Sequence, residues 1–168
     1  SDDGYTAARS CGCRESVAIG SRPLQRQTRG LYFEVRVLET VEGWLGGLGI
    51  GVTHTEPWAL QRIPDKAWRV PDTFVAGYSG CAFLAGKEMR VEWRPDTLQA
   101  GQRVGLLVSG DGRQDLFVFV DGAKVVHVDG AALHAAGLRD EPLYPVVDVL
   151  NATLAVELAA RAEAPAAL

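Results

Sequence analysis

Apolar and polar positions alternate with a period of two in several short stretches of the chain. In "LYFEVRVLE" one face of the alternation is apolar, and its members are Leu31, Phe33, Val35 and Val37. In "LFVFV" the aromatic residues Phe117 and Phe119 share one face, and the other face carries Leu116, Val118 and Val120. A period of two is typical of β-strands that bury one face. These stretches therefore predict strands rather than helices.

Glycine, proline and Asp-Gly signals separate the predicted strands. We interpret "AGQRVGLLVSGDGRQDLFVFVDGAKVVHV" as three strands divided at residues 110–112 and 121–122, because Asp-Gly between apolar runs is a strong hairpin signal. Further strands are predicted in "SVAIGSRPLQ", "FVAGYSGCAFLAG", "KEMRVEWRP", "LYPVVDVL" and "ATLAVEL", with at most a short helical turn near residues 130–138. About ten or more short strands in this arrangement predict an all-β fold, an antiparallel β-sandwich.

The segment "GWLGGLGIGVT" carries glycine at every second position of a predicted strand. Gly47, Gly49 and Gly51 share one face of it. A phosphate-binding loop would need G-x-G-x-x-G and then a helix, but the following "VTHTEPWALQ" has no apolar stripe of helical period. We expect the glycines instead to remove bulk, so that a backbone or a large aromatic ring lies against the strand and two β-layers press together. Trp44 is expected in the core beside them.

Size and charge restrict the possible classes of protein. The 168 residues indicate one domain, which we place at residues 1–158, followed by an Ala-rich tail at 159–168 that frays. The net charge of −4 and the scattered basic residues disfavour a nucleic-acid partner. No apolar stretch reaches the roughly 18 residues of a membrane span. Three cysteines (Cys11, Cys13 and Cys81) are few for a secreted disulfide scaffold, so we expect a cytoplasmic protein.

Residues that could carry chemistry lack the spacing that chemistry requires. The histidines (His54, His127, His134) and Cys11-Gly12-Cys13 show no zinc-site spacing. Ser79 in "GYSGC" lacks the strand-to-helix context of a nucleophile elbow. Most acidic residues sit at turn signals, and spacing alone pairs none of them across a cleft. We therefore expect no metal, no cofactor and no enzymatic activity.

The long connection "HTEPWALQRIPDKAWRVPDT", residues 54–73, is the main candidate for a binding site. It holds three prolines and no sustained period, and long connections on a rigid scaffold often carry function. Trp58 and Trp68 either anchor a bound peptide or pin the loop to the sandwich, and the sequence leaves both interpretations open. Arginines near strand ends, including Arg22, either bind an acidic segment or are solvated.

Several segments, in the same order, resemble the neuralized homology repeat (NHR), a branch of the SPRY-like, concanavalin-like β-sandwich group. They are "DGYTAARS", "RPL", "GLYFEVRVLETVEGWLGGLGIGVT", "LQAGQRVGLLVSGDGRQDLFVFVDG" and "PLYPVVDVLNATLAVEL", and together they extend over residues 3 to 158. The chain departs from the family's pattern at Asp121, where Asn is frequent, and at Asn151, where Gly is usual. Asp121 should leave its turn intact because Asp and Asn both tolerate positive φ. Family members usually also begin with one more strand before the position of Ser1.

The resemblance implies a non-catalytic module that docks a protein or peptide through loops at one end of the sandwich. Relatives often dock the cytoplasmic tail of a ligase substrate. Because no RING-type Cys/His array is visible, any ubiquitin-ligase activity would reside in a partner or in another part of a longer protein. On the predicted loops we expect partner-binding residues at Arg22, Trp58, Trp68, Tyr78 and Asp111. A carbohydrate-binding, lectin-like sandwich is the alternative, and an oligomerising spacer is a further one.

Overall fold

The computed structural model describes residues 5–9, 16–140 and 142–166. Within these residues the chain forms one short helix, α1 (Gly130–Ala135), three 3-10 turns (Pro57–Ala59, Ala67–Arg69 and Pro95–Thr97) and thirteen strands. The strands are β1 (Thr6–Ala8), β2 (Val17–Ile19), β3 (Arg26–Gln27), β4 (Gly30–Thr40), β5 (Gly49–Thr53), β6 (Thr73–Gly77), β7 (Cys81–Leu84), β8 (Lys87–Arg90), β9 (Arg103–Ser109), β10 (Leu116–Val120), β11 (Ala123–Val128), β12 (Tyr144–Asp148) and β13 (Thr153–Leu158).

Antiparallel pairing arranges the strands in two sheets. The seven-stranded sheet has the order β1-β13-β4-β9-β10-β11, with β3 paired to the start of β4, and the six-stranded sheet has the order β2-β12-β5-β6-β7-β8. The predicted antiparallel β-sandwich is therefore confirmed. Two strands that the sequence pattern did not show, β1 and β3, are too short to display an alternation and are defined by their pairing with β13 and β4.

The core lies between the sheets and is supplied by the apolar faces of the predicted strands. The alternating residues Leu31, Phe33, Val35 and Val37 of β4 belong to it, as do Leu48, Ile50 and Val52 of the other sheet. Each such side chain contributes about 1.5–3 kcal/mol when fully buried. The opposite face of the seven-stranded sheet carries a separate cluster, formed by Tyr32, Leu107, Phe117 and Phe119. The two faces predicted for "LFVFV" are thus confirmed.

The three strands predicted between residues 100 and 128 form consecutive hairpins. Val120 pairs with Ala123, so Asp121 and Gly122 are the two loop residues, with φ of 49° and 81°. Positive φ at both positions is the geometry that Asp-Gly favours in a tight hairpin turn. The Asp121 carboxylate also accepts hydrogen bonds from the Arg103 amide at 2.9 Å and from Gln102 Nε2 at 2.8 Å. Asp at this position is compatible with the turn, as the sequence predicted.

The loops gather at two ends of the sandwich. One end, which we call the long-loop end, carries residues 20–25, 54–72, 110–115, 129–140 and 142–143. Backbone and side-chain hydrogen bonds join these loops: Leu24 N to Leu143 O at 2.8 Å, and Gln114 Nε2 to Asp140 Oδ1 at 2.6 Å. The opposite end carries residues 41–48, 78–80, 91–102 and 149–152. The predicted helical turn near 130–138 is α1, whose first turn is capped by Asp129 through the Ala131 amide at 2.7 Å.

Candidate partner-binding surface

A buried carboxylate, Asp148, fixes the middle of the long loop to the outer face of the six-stranded sheet. Asp148 is completely buried at the end of β12. Its oxygens accept hydrogen bonds from Ser16 Oγ at 2.6 Å, from the Ala67 amide at 3.0 Å and from the Tyr78 hydroxyl at 3.3 Å. Hydrogen bonds to a charged acceptor are among the stronger ones in proteins. Asp148 therefore holds together three segments that are distant in sequence.

Trp68 and Tyr78 belong to an aromatic cluster under that loop. The Trp68 ring meets Tyr78 edge-on with centroids 4.7 Å apart and stacks on Phe83 at 4.9 Å. Such pairs contribute about 0.5–1.5 kcal/mol beyond the area that they bury. Of the two roles left open for Trp68, the contacts are those of a residue that pins the loop.

Tyr78 is not at the surface, contrary to its expected role as a binding residue. It is 5% exposed, and burial, together with the neighbouring Asp148 carboxylate, raises the pKa of Tyr78 well above its usual range. The segment "GYSG" predicts an exposed tight turn, and Ser79 lies in the short connection between β6 and β7, as that prediction requires. The Tyr78 side chain, however, turns back over β5, where Gly49 leaves room for its ring.

Two glycines of the row, Gly49 and Gly51, act on the outer face of the six-stranded sheet and not between the layers. A Cβ built on Gly49 would lie 2.6 Å from Cζ of Tyr78, and one built on Gly51 would lie 2.7 Å from the Val75 Cα. The prediction that a large aromatic ring and a neighbouring backbone lie against these glycines is confirmed. The expectation that the glycines let the two layers press together is wrong for Gly49 and Gly51, because Leu48, Ile50 and Val52 face the other sheet instead. It holds for Gly47, which precedes the strand: an added Cβ there would lie 2.8 Å from Pro95 O and 3.2 Å from Thr153 Oγ1 of the seven-stranded sheet.

Trp44 is exposed, so its predicted place in the core is wrong. The strand begins at Gly49 instead of Trp44, because Gly46 takes a φ of 78° and breaks the extended chain. Trp44 is 52% and its neighbour Leu45 74% exposed. Asn151 holds the loop of residues 41–48 in place, because its Nδ2 donates a hydrogen bond to Leu45 O at 2.7 Å. No feature of the sequence pattern distinguishes Leu45 as an exposed residue.

The base of the long loop is closed by hydrogen bonds. Thr53 Oγ1 and Thr55 Oγ1 both donate to Pro71 O, at 3.0 and 2.7 Å. His54 joins the loop to Arg139 and Pro142: its Nδ1 lies 2.9 Å from Pro142 O, and its Nε2 accepts from the Arg139 amide at 3.1 Å. Burial lowers the pKa of His54 below its ordinary value. The two contacts match a neutral imidazole with its proton on Nδ1.

Trp58 projects from this fixed loop. Its side chain is 65% exposed, and its ring contacts Tyr144 edge-on with centroids 5.8 Å apart. Ile63 of the same loop is 40% exposed. We call Trp58 and Ile63 the Trp58 surface. An exposed aromatic residue on a loop that is already ordered loses little conformational entropy when it binds.

The structure brings three of the five predicted binding residues to the same end of the sandwich. Arg22 and Asp111 lie exposed in loops of the long-loop end, as Trp58 does. Asp111 also shapes its own turn, accepting from Ser109 Oγ at 2.7 Å and from the Arg113 amide at 3.1 Å, and these hydrogen bonds lower the pKa of its carboxyl. Trp68, in the long loop itself, packs its ring on Tyr78 and Phe83, and Tyr78 is buried at the opposite end. Cys11, Cys13 and their neighbours lie outside the described residues.

Two observations concern classes of site that the sequence disfavoured. In residues 5–9, 16–140 and 142–166, no group of three or more His, Cys, Asp or Glu side chains could hold a metal ion. Over the same part of the chain, no helix has the length and apolar character needed to cross a membrane.

Solved structures with this architecture define the class of the chain as an NHR/SPRY-type β-sandwich domain. The NHR1 domain of Drosophila melanogaster neuralized gives a TM-score of 0.69 at 16% identity, over 95% of this chain and 88% of that one. A human SPRY domain gives 0.68 at 20% identity, over 96% and 94%. The solution structure of the NEUZ (NHR) domain of Drosophila melanogaster Neuralized gives 0.67 at 17% identity, over 95% and 83%.

The family follows from the sequence match. The family model for Neuralized matches residues 1–160, and the chain belongs to the Neuralized family. The resemblance derived from the sequence motifs is therefore confirmed. No curated protein matches the chain.

Proposed function

We propose that this domain is a non-catalytic recognition module that binds a peptide or protein segment through the Trp58 surface. Domains of the NHR and SPRY type are generally protein-interaction modules, and the chain has their fold. The observation that carries the proposal is an exposed Trp58 on a loop fixed at its base and middle. Buried aromatic anchors dominate the energy of many protein interfaces, and Trp58 is placed to become one.

The surroundings of Trp58 suggest the chemistry of the partner. Ile63 is a second exposed apolar side chain of the same loop, and Arg22 and Asp111 at the same end are exposed charges that would form a polar rim. A segment with one large apolar side chain flanked by charged residues matches this arrangement. In a longer protein or an assembly, such a module would act as an adaptor that selects substrates for a ubiquitin ligase.

Affinity capture from the native cell, followed by mass spectrometry, tests the proposal with a matched pair of variants. Trp58→Ala removes the aromatic anchor, and Trp44→Ala removes a second exposed tryptophan at the opposite end of the sandwich. We expect Trp58→Ala to lower partner recovery by about tenfold or more, with Trp44→Ala behaving like the unchanged protein.

Thermal unfolding of both variants shows whether they remain folded. Equal recovery by folded Trp58→Ala would remove the Trp58 surface from the binding site. If partner recovery is lost for Trp44→Ala and not for Trp58→Ala, the binding site lies at the opposite end of the sandwich.

A further inference from the structure

A slot opens between the two sheets at one side of the sandwich. The strand orders of both sheets begin there, with β1 and β2, and the side chains that these strands turn toward the core are Ala7 and Ala18. Stacked sheets lie about 10 Å apart, so two methyl groups leave a gap that larger side chains fill elsewhere in the core. The gap is a cavity of about 110 Å³, and its inner wall consists of Phe33, Val35, Val147 and Val156.

The slot continues into a groove at the surface. Both are lined by Tyr5, Gly20, Phe33, Pro145 and Leu158, so they form one continuous site. Gly20 shapes the junction, because an added Cβ there would lie 2.6 Å from Pro145 Cγ. The groove measures about 550 Å³ and lies between residues 20–25 and 159–162. The site therefore has an apolar interior and an open, partly polar mouth.

One wall of the groove is the start of the C-terminal segment, residues 159–166, which the sequence predicted to fray. The Ala159 amide donates to Glu34 O at 2.8 Å, and Gln27 Nε2 donates to Ala162 O at 2.9 Å. Alanines of the segment also pack against the aromatic cluster on the outer face of the seven-stranded sheet. These contacts hold the segment on the domain, so this wall of the groove is ordered.

The groove is positively charged, in a protein whose net charge is −4. Its charged lining residues are Arg22 and Arg161, both exposed, and among the described residues no aspartate or glutamate lines the slot or the groove. Glu34 and Glu157, on neighbouring strands, form ion pairs at 3.0 and 2.8 Å with arginines of their own sheet. The two groove arginines are therefore available to an acidic ligand from outside.

We propose that the slot and the groove form a second binding site, which takes one aliphatic side chain of a partner peptide in the slot and the acidic residues beside that side chain in the groove. A dry cavity of about 150 Å³ holds a benzene molecule, so a cavity of about 110 Å³ matches a leucine, isoleucine or valine side chain and is too small for tryptophan. Carboxylates suit the arginines, because a guanidinium offers paired donors that match the two carboxylate oxygens.

The open shape of the groove favours a peptide over a small molecule. Small-molecule sites bury most of the surface of their ligand, whereas the two arginines and Tyr5, which is 59% exposed, leave this groove in contact with solvent. A peptide can extend along the groove beyond the slot and gain contacts in both. The site contains neither Trp58 nor Ile63, so it does not depend on the function proposed for the Trp58 surface.

Selection from a library of random displayed peptides tests the proposal. The selection uses the Trp58→Ala protein, so that peptides that need the Trp58 surface are not retained, and it is repeated with Ala18→Met added, since the methionine side chain fills the slot. We expect the first selection to enrich peptides in which Leu, Ile or Val stands next to Asp or Glu, and the second selection to lose them. Ala132→Met makes the same change at an exposed position of α1 and is the matched control.

Fluorescence anisotropy with synthetic copies of the enriched peptides measures the charge requirement. Arg161→Glu reverses one charge of the groove and leaves the core unchanged, so it tests the proposal even if Ala18→Met does not fold. We expect it to weaken peptide binding by about tenfold. Arg90→Glu makes the same reversal on β8, at the far edge of the six-stranded sheet, and should have no effect.

Failure to enrich peptides of this pattern, or equal binding of the enriched peptides to folded Arg161→Glu, would overturn the proposal. Enrichment that survives a folded Ala18→Met protein would do the same. A dimer of the unchanged chain that Ala18→Met dissociates, detected by light scattering, would show that a second copy occupies the slot and would overturn the assignment to a partner peptide. Because every selection carries Trp58→Ala, these outcomes leave the role proposed for Trp58 unaffected.

Discussion

The ring of Tyr78 lies directly over Gly49, on the outer face of the six-stranded sheet. A Cβ at Gly49 would approach Cζ of that ring to 2.6 Å, which is well inside van der Waals contact. The seven-stranded sheet repeats the arrangement with Tyr32 over Gly105. In each sheet a glycine lets the hydroxyl end of a tyrosine ring lie close against the outer face, and the ring then supports a segment that crosses the sheet. The supported segments are the long loop at Trp68 and the C-terminal segment at Ala162 and Ala164.

Gly49→Ala should destabilise the domain by displacing Tyr78. The new methyl group overlaps the ring, and both backbone and ring are fixed by their neighbours, so we expect a loss of about 1–3 kcal/mol in the free energy of unfolding. Urea denaturation at neutral pH measures this loss. The long loop should also become more accessible to proteases, because Tyr78 contacts Trp68.

A double-mutant cycle separates this overlap from the loss of a glycine as such. In a Tyr78→Ala background the ring is absent, so Gly49→Ala should cost much less there than in the unchanged protein. Equal costs in the two backgrounds would show that the ring does not determine the residue at position 49.

Asp148→Ala should be one of the most damaging single substitutions in the domain. It leaves the Ser16 hydroxyl, the Ala67 amide and the Tyr78 hydroxyl without their buried acceptor. Unsatisfied buried groups cost about 1–3 kcal/mol each, so we expect a loss of about 3 kcal/mol or more. Asp148→Asn should cost less, since one side-chain oxygen remains. Calorimetry or urea denaturation gives both values.

The exposed Asp72 provides the matched control for Asp148. Asp72→Asn makes the same chemical change at a position with φ of 48°, which Asn tolerates, and should alter the free energy of unfolding by no more than about 0.5 kcal/mol. If Asp148→Asn were equally neutral, the buried carboxylate would not be what fixes the long loop.

The strands were predictable because their signals are local. The alternation in β4, and the Asp121-Gly122 turn between β10 and β11, depend on residues that are neighbours in the chain. The period of two predicted the faces of these strands correctly. The same period failed at Trp44, because continuing it backward from Ile50 ignores the turn at Gly46, whose φ is 78°.

The candidate site was predictable only in part, because its geometry depends on distant residues. The burial of Tyr78 requires Gly49 beneath it and Asp148 beside it, which lie in different strands. A signal for Asp148 was present, since it is the single carboxylate within the apolar run "YPVVDVL". Arg22, Trp58 and Asp111 were correctly assigned to loops, but their position at one end follows from the strand order, which the sequence did not show.

The stability of the long loop should depend on pH through His54. The folded protein holds His54 neutral, with Nε2 accepting the Arg139 amide, and a proton on Nε2 would abolish that hydrogen bond. Burial is the largest cause of the lowered pKa; the charge of Arg139 lowers it further, while the contact with Pro142 O and the charge of Asp72 oppose the shift. The unfolded chain therefore takes up this proton at a higher pH than the folded chain does.

Because the pKa of His54 is lower in the folded state than its ordinary value of 6.5, the stability that it contributes is present above that value and is lost as the pH falls through the folded pKa. The test compares the free energy of unfolding at pH 7.5 with that at pH 5.5, on either side of the ordinary histidine pKa of about 6.5. The decrease from the higher to the lower pH should be larger in the unchanged protein than in His54→Gln. His127 and His134 are common to both proteins, so the difference in slope isolates His54. Amide protection factors in residues 54–72, which correct for the slower intrinsic exchange at lower pH, should fall at pH 5.5 in the unchanged protein only. Identical slopes would show that the contacts of His54 with Arg139 and Pro142 do not hold the loop.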